Sequence, residues 1–134
     1  MKIILGIAII LHGLSHLLYA GQSARRFELS PGLAWPDGSW ALGSFLGTGG
    51  VRGLAAVACI LAAAGFVAGG IGLFATQGWW RAVTTGAAAF SALLFVLLWD
   101  GKLQALPDKG LIAVLIDATI ILALLVLRWP RVGF

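Results

Sequence analysis

Four apolar stretches divide the chain: Ile3–Ala20, Leu54–Ala75, Ala82–Trp99 and Leu111–Leu127. Each is close to the roughly 20 residues a helix needs to cross a hydrocarbon core of about 30 Å. Backbone groups in lipid must find partners within their own segment, so the stretches predict helices. The alternation of polar and apolar positions that marks a membrane barrel is absent. The pattern predicts one all-α transmembrane domain over 1–134, an antiparallel four-helix bundle with a long aromatic loop at 21–53.

That loop is rich in turn formers and aromatics, Ser30-Pro31-Gly32 and then Trp35-Pro36-Asp37-Gly38-Ser39-Trp40. A connection of that length usually has structure or a task of its own. Ser39 is placed to cap a short interfacial helix over Trp40–Leu46, and the expectation is a lid in which Trp35 or Trp40 lies above the level of His16. Trp79-Trp80-Arg81, Trp99 and Trp129-Pro130-Arg131 mark the span ends as interfacial aromatics do. Gly65-xxx-Gly69 with Ala64, Ala68 and Gly72 in the second span, and Ala88-xxx-Ala92 in the third, predict close packing of those two helices.

Composition agrees with the pattern. Of the 134 residues 60% are hydrophobic and only 10% are charged, too few polar side chains to coat a soluble domain. A net charge of +4 would suggest nucleic acid in a soluble protein, but the nine Lys and Arg residues sit at segment ends, in the headgroup zone. No nucleic-acid partner is expected; the bilayer is. Cys59 is the single cysteine, so no intrachain disulfide can form. The run after Lys2 has the form of a signal sequence, yet cleavage after Ala20 would set Leu18 where a small residue is preferred. An even number of spans puts both termini on one face. Basic residues are balanced between the faces, while Glu28, Asp37, Asp100 and Asp108 with the long loop lie opposite the termini, which favours an inner-membrane protein with cytoplasmic termini.

Two spans carry ionisable residues well inside the hydrocarbon zone, where such groups face protein or water. His12, Ser15 and His16 fall on one face of the first helix at i, i+3 and i+4. Counting about 1.5 Å per residue, His16 lies about 6 Å and His12 about 12 Å below the end of the first span, and Asp117 about 9 Å below Leu111. The first and fourth helices should therefore touch, with a histidine beside Asp117. Arg52 before the second span and Asp100 after the third complete a candidate ligand-binding set of His12, Ser15, His16, Arg52, Asp100 and Asp117, in a pocket opening away from the termini.

Interhelical glue competes with a ligand pocket for the histidines. A metal set of His12, His16 and Asp117 has suitable types and spacing but ranks below both, and haem ranks lower because no third histidine exists. Gly47-Thr48-Gly49-Gly50-Val51-Arg52-Gly53 lacks the spacing and the Lys-Ser/Thr of a phosphate loop and is expected to be a flexible entry to the second span. No nucleophile and base are paired by spacing, so no catalytic residue is assigned.

Leu11-His12-Gly13-Leu14-Ser15-His16-Leu17-Leu18, the Arg-Gly-Leu start of the second span and Trp99-Asp100-Gly101-Lys102 before the fourth resemble small bacterial four-helix membrane proteins similar in plan to the DoxX-like group. That resemblance implies a bundle in the bacterial inner membrane, with some members tied to quinone-linked or redox-protective systems. The favoured function is a polar intramembrane pocket for a small lipophilic ligand, with quinone as its candidate cofactor. The alternative is an accessory subunit that stabilises a larger membrane complex or a homo-oligomer. A proton-coupled carrier is third, disfavoured by the lack of an internal repeat.

Overall fold

The computed structural model describes residues 1–132 and contains helices and no strand among them. Helix α1 spans Lys2–Ser23, α2 Gly43–Phe74, α3 Trp80–Leu97 and α4 Leu111–Ile121, which runs on into a π-helical turn at Leu122–Val126. A 3₁₀ turn over Pro107–Lys109 precedes α4. The first three helices are long and apolar enough to cross a membrane, and the apolar Leu111–Val126 segment is shorter. Exposed aliphatic side chains such as Ile4, Leu11, Ile60, Leu61, Leu93, Leu115 and Leu125 line the outside of all four, as a lipid solvent requires.

The irregular part of the 21–53 loop is only 24–42, because α1 runs on to Ser23 and α2 starts early. The glycine-rich entry is helical and not a flexible strip. It is broken once, at Gly47, whose φ of 64° and ψ of 176° interrupt the helix between a first turn at Gly43–Leu46 and the main rod. A φ in that region suits glycine and strains other residues. Ser39 does act at this start: its hydroxyl accepts the Leu42 N–H at 2.9 Å.

Small residues set how the helices meet. An added Cβ on Gly65 would lie 2.9 Å from the Ala87 Cβ, while Gly69 faces Thr84 and Gly72 faces Trp79. These pairings run in opposite directions along the two chains, so α2 and α3 are antiparallel and joined by a tight turn. Gly6 against Phe74 and Gly13 against Phe66 and Ala63 give α1 and α2 the same relation. Gly65, Gly69 and Gly72 are thus packed within the chain, while Ala64 stays exposed. Helices α1 and α4, by contrast, share hardly any close backbone approach.

The 24–42 segment is stitched to the end of α3, whose last carbonyls have no partner within the helix. Trp40 N–H donates to Trp99 O at 2.9 Å, Trp40 Nε1 to Val96 O at 2.7 Å, and the Ser39 hydroxyl to Leu97 O. Arg25 donates to the carbonyls of Trp35 at 3.2 Å and Pro36 at 3.0 Å. The two loop tryptophans differ: Trp35 is 2% exposed and packs on Tyr19 and Phe95, whereas Trp40 is 62% exposed.

Two apolar clusters form the interior. One gathers Ala20, Trp35, Val51, Ala55, Ala58, Cys59, Leu94, Phe95, Leu98 and Ala113 near the loop end. The other gathers Ile9, Phe66, Leu73, Trp80, Ala87, Ala88 and Leu124 towards the termini. On α1, α3 and α4 the residues between the clusters are polar: His12 and His16, Ser91, and Asp117.

Candidate functional site

This polar layer is built from one face of α1 and single residues of α3 and α4. His16 and Asp117 are 0% exposed, and the His12 side chain is 8% exposed. His12 Nε2–H donates to Asp117 Oδ1 at 2.8 Å, which bridges α1 to α4. The contact inferred from shared depth is therefore present, and it is made by His12.

His16 is held differently. Its Nδ1–H donates to the His12 carbonyl at 3.0 Å. A carbonyl has no hydrogen to return, so in the neutral ring Nε2 carries the lone pair, and the Ser91 hydroxyl donates to it at 2.7 Å. Ser15 also donates to the His12 carbonyl, at 2.6 Å. Helix α2 supplies no polar group to this layer; it supplies Phe66, whose ring centre lies 4.7 Å from that of His12 and 5.4 Å from that of His16. Phe95 closes the layer from the loop side, 5.8 Å from His16.

One atom of the layer is left over. Asp117 Oδ2 is buried and has no hydrogen-bond partner among the described residues. A ligating atom from each of His12, His16 and Asp117 lies within 4.8 Å of the other two, so among the described residues these three form a group able to hold a metal ion.

Where α1 and α4 separate, a cavity of about 380 Å³ opens beside the layer, lined on α1 by His12, Ser15, Leu18 and Tyr19 and on α4 by Ile112, Ala113 and Ile116. Leu29 from the 24–42 segment and Pro107 and Asp108 from the turn before α4 form its loop-side rim. Its size falls in the range of about 300–1,000 Å³ usual for small-molecule sites, and its wall, apolar with a few converging polar groups, is of the usual kind.

Arg52 and Asp100 are not part of this arrangement. Arg52 Nε donates to Ser23 O at 3.1 Å while the Ser23 hydroxyl donates to Arg52 O at 2.6 Å, which ties the end of α1 to α2. The guanidinium does not reach down to Asp117. Asp100 pairs with Lys109 at 2.8 Å and accepts the Lys102 N–H at 2.9 Å, closing the turn between α3 and α4. Partial burial pushes the Asp100 carboxyl up, but the hydrogen bonds from Lys109 and Lys102 and the charges of those two lysines outweigh it and hold the group below the usual carboxylate range. Both residues sit at span ends, where local backbone and loop partners are nearer than the layer. Ser91 and Tyr19 were missing from the sequence-derived set. A lone serine among apolar residues at the depth of His16 was the one available signal for Ser91.

Comparison with protein-family models, with curated proteins and with solved structures finds no match for this chain.

Proposed function

We propose that the chain is a four-span protein of the bacterial inner membrane, with both termini cytoplasmic, that binds a small lipophilic ligand of the quinone class in the cavity between α1 and α4. The single observation that carries this reading is the cavity itself: a space of ligand size, entered where two helices part, with an imidazole from His12 and hydroxyls from Ser15 and Tyr19 on an otherwise apolar wall. A quinone presents an apolar ring and tail with carbonyl oxygens that accept hydrogen bonds. Its carbonyl needs a hydrogen-bond donor in an apolar setting; the Tyr19 hydroxyl on the wall can supply one directly, and His12, whose Nε2–H is engaged by Asp117, supplies one from its other ring nitrogen only when the ring takes up a second proton. The buried Asp117 accepts the His12 Nε2–H and so keeps the ring oriented. The 16-residue Leu111–Val126 segment is short for a bilayer, and thinning of the lipid around it would bring the α1–α4 opening within reach of lipid-soluble molecules. The likeness in plan to the DoxX-like group supports the same class of ligand.

Photolabelling in lipid nanodiscs with an azido-benzoquinone tests this. Labels should concentrate on 12–19 and 112–116, be competed by unlabelled quinone, and disappear in Ser15→Phe, which fills the cavity while removing only a bond to its own helix. Labelling spread over outward residues such as Leu61 and Leu125 and insensitive to competitor would refute it.

A further inference from the structure

The polar layer has more donors than a histidine–carboxylate pair requires. We propose that His12, His16 and Asp117 form a divalent transition-metal site of the two-histidine, one-carboxylate type, reached through the α1–α4 cavity. This goes beyond the ligand proposed above, which needs the cavity and the His12 ring that Asp117 orients, but neither His16 nor an ion.

Three independent features of the layer support it. The first is composition and spacing: borderline ions such as Zn²⁺, Fe²⁺ and Co²⁺ take imidazole and carboxylate together, and here one ligating atom from each residue lies within 4.8 Å of the others. Bonds of about 2.0–2.2 Å set tetrahedral donors about 3.4 Å apart. The widest spacing must therefore close by about 1.4 Å and the His12–Asp117 contact open by about 0.6 Å, while the proton that His12 Nε2 shares with Asp117 passes to Nδ1 of the same ring, leaving a neutral imidazole whose Nε2 lone pair faces the ion.

The second is the orphaned oxygen. Asp117 Oδ2 lies in an apolar interior with no donor, and His12 engages only Oδ1. Buried polar atoms without partners are rare in native proteins and call for a specific explanation; a cation that binds the carboxylate supplies one. The third is the way His16 is pinned. Histidines that bind metals usually donate the other ring N–H to a carbonyl or carboxylate, which fixes the tautomer and aims the lone pair. His16 Nδ1–H does this to the His12 carbonyl, leaving Nε2 as the ligating atom once the Ser91 hydroxyl turns aside.

The site is also protected and accessible in the right proportions. Phe66 and Phe95 shield it from two sides, and His12, the one member of the set on the cavity wall, provides the route of entry. In the chain order of the three ligands, the first two come from consecutive turns of one helix and the third from a helix whose backbone makes hardly any close approach to the first, so a bound ion would also clamp that seam.

The experiment uses full-length protein without a histidine tag, in detergent, stripped with chelator and titrated with Co²⁺. The expected result is one equivalent bound per chain, with visible d–d absorption that Zn²⁺ abolishes. Asp117→Asn and His16→Ala should each lose the absorption, and Cys59→Ala should keep it. His12→Gln serves where either of the first two loses its helical circular dichroism. Sub-stoichiometric binding by folded wild type, or absorption unchanged in every folded ligand variant, would overturn the proposal. Quinone photolabelling that persists without metal binding removes this site alone, and metal binding without specific labelling removes the quinone reading alone.

Discussion

The His12–Asp117 bridge crosses a helix interface that lacks close backbone packing, so its energetic worth can be isolated by a double-mutant cycle with leucine at both positions. Interhelical hydrogen bonds in membranes average about 0.6 kcal/mol and reach about 1.7. Removing one member of a buried pair costs more, about 3–5 kcal/mol, because the other is left uncompensated. The second figure governs here. In His12→Leu, Asp117 loses its only partner and both oxygens are then orphaned, since His16 is committed at both nitrogens. The single variant should therefore lose about 3 kcal/mol, the lower end of that range, given the modest measured bonds in lipid. The double variant should recover most of it, because exchanging a buried pair for apolar residues is neutral to stabilising by about 1–4 kcal/mol. Unfolding in mixed micelles of rising SDS fraction, followed by circular dichroism, measures each corner. A coupling energy of at least about 2 kcal/mol is expected, and additive single effects would refute the reasoning by showing that the two side chains do not depend on one another.

Two further outcomes follow from other contacts. Gly13→Ala puts a Cβ 2.6 Å from the Phe66 Cβ and 3.2 Å from Ala63 O; overpacking of about 1–3 kcal/mol should exceed the roughly 1 kcal/mol of helix propensity gained, so the SDS midpoint should fall, and a rise would refute the close approach. Asp100, held below the usual carboxylate value of 3.8, contributes stability that is fully present above that value and lost as pH falls through the folded-state pKa; Asp100→Asn should flatten the acid limb of an SDS-unfolding series, and an unchanged limb would remove the turn clasp as its cause.

The apolar stretches were legible because lipid leaves two backbone solutions, helix or closed barrel, and a run of some twenty apolar residues without alternation announces the helix. Helix ends were less so. Glycines at 47, 49, 50 and 53 argued for a loop by propensity, yet Val51 is fully buried and Arg52 exchanges hydrogen bonds with Ser23, and these tertiary contacts keep all but Gly47 helical. The loop tryptophans were both candidates for burial by composition. Only the structure separates them, because Trp35 is drawn under the Arg25 clamp while Trp40 needs just its ring N–H satisfied at the end of α3.

The polar layer shows why depth was a better guide than charge. His12 and Asp117 lie deep in apolar segments, where the cost of an unpaired group leaves few acceptable arrangements, and counting residues from the span ends was enough to set a histidine beside Asp117, though not to choose between His12 and His16. Arg52 and Asp100 lie at the rim, where water, loop carbonyls and neighbouring lysines offer many partners, so membership in the same end of the molecule did not imply membership in the same site. Ser91 sits at the informative depth but is a weak signal, since a serine can satisfy itself on its own helix. Its role follows from His16: once Nδ1–H is committed to the His12 carbonyl, the ring needs a donor at Nε2, and α3 presents one hydroxyl there. What stays unmatched after that accounting is Asp117 Oδ2, and its burial beside two imidazoles makes it the atom on which the ligand chemistry of this layer turns.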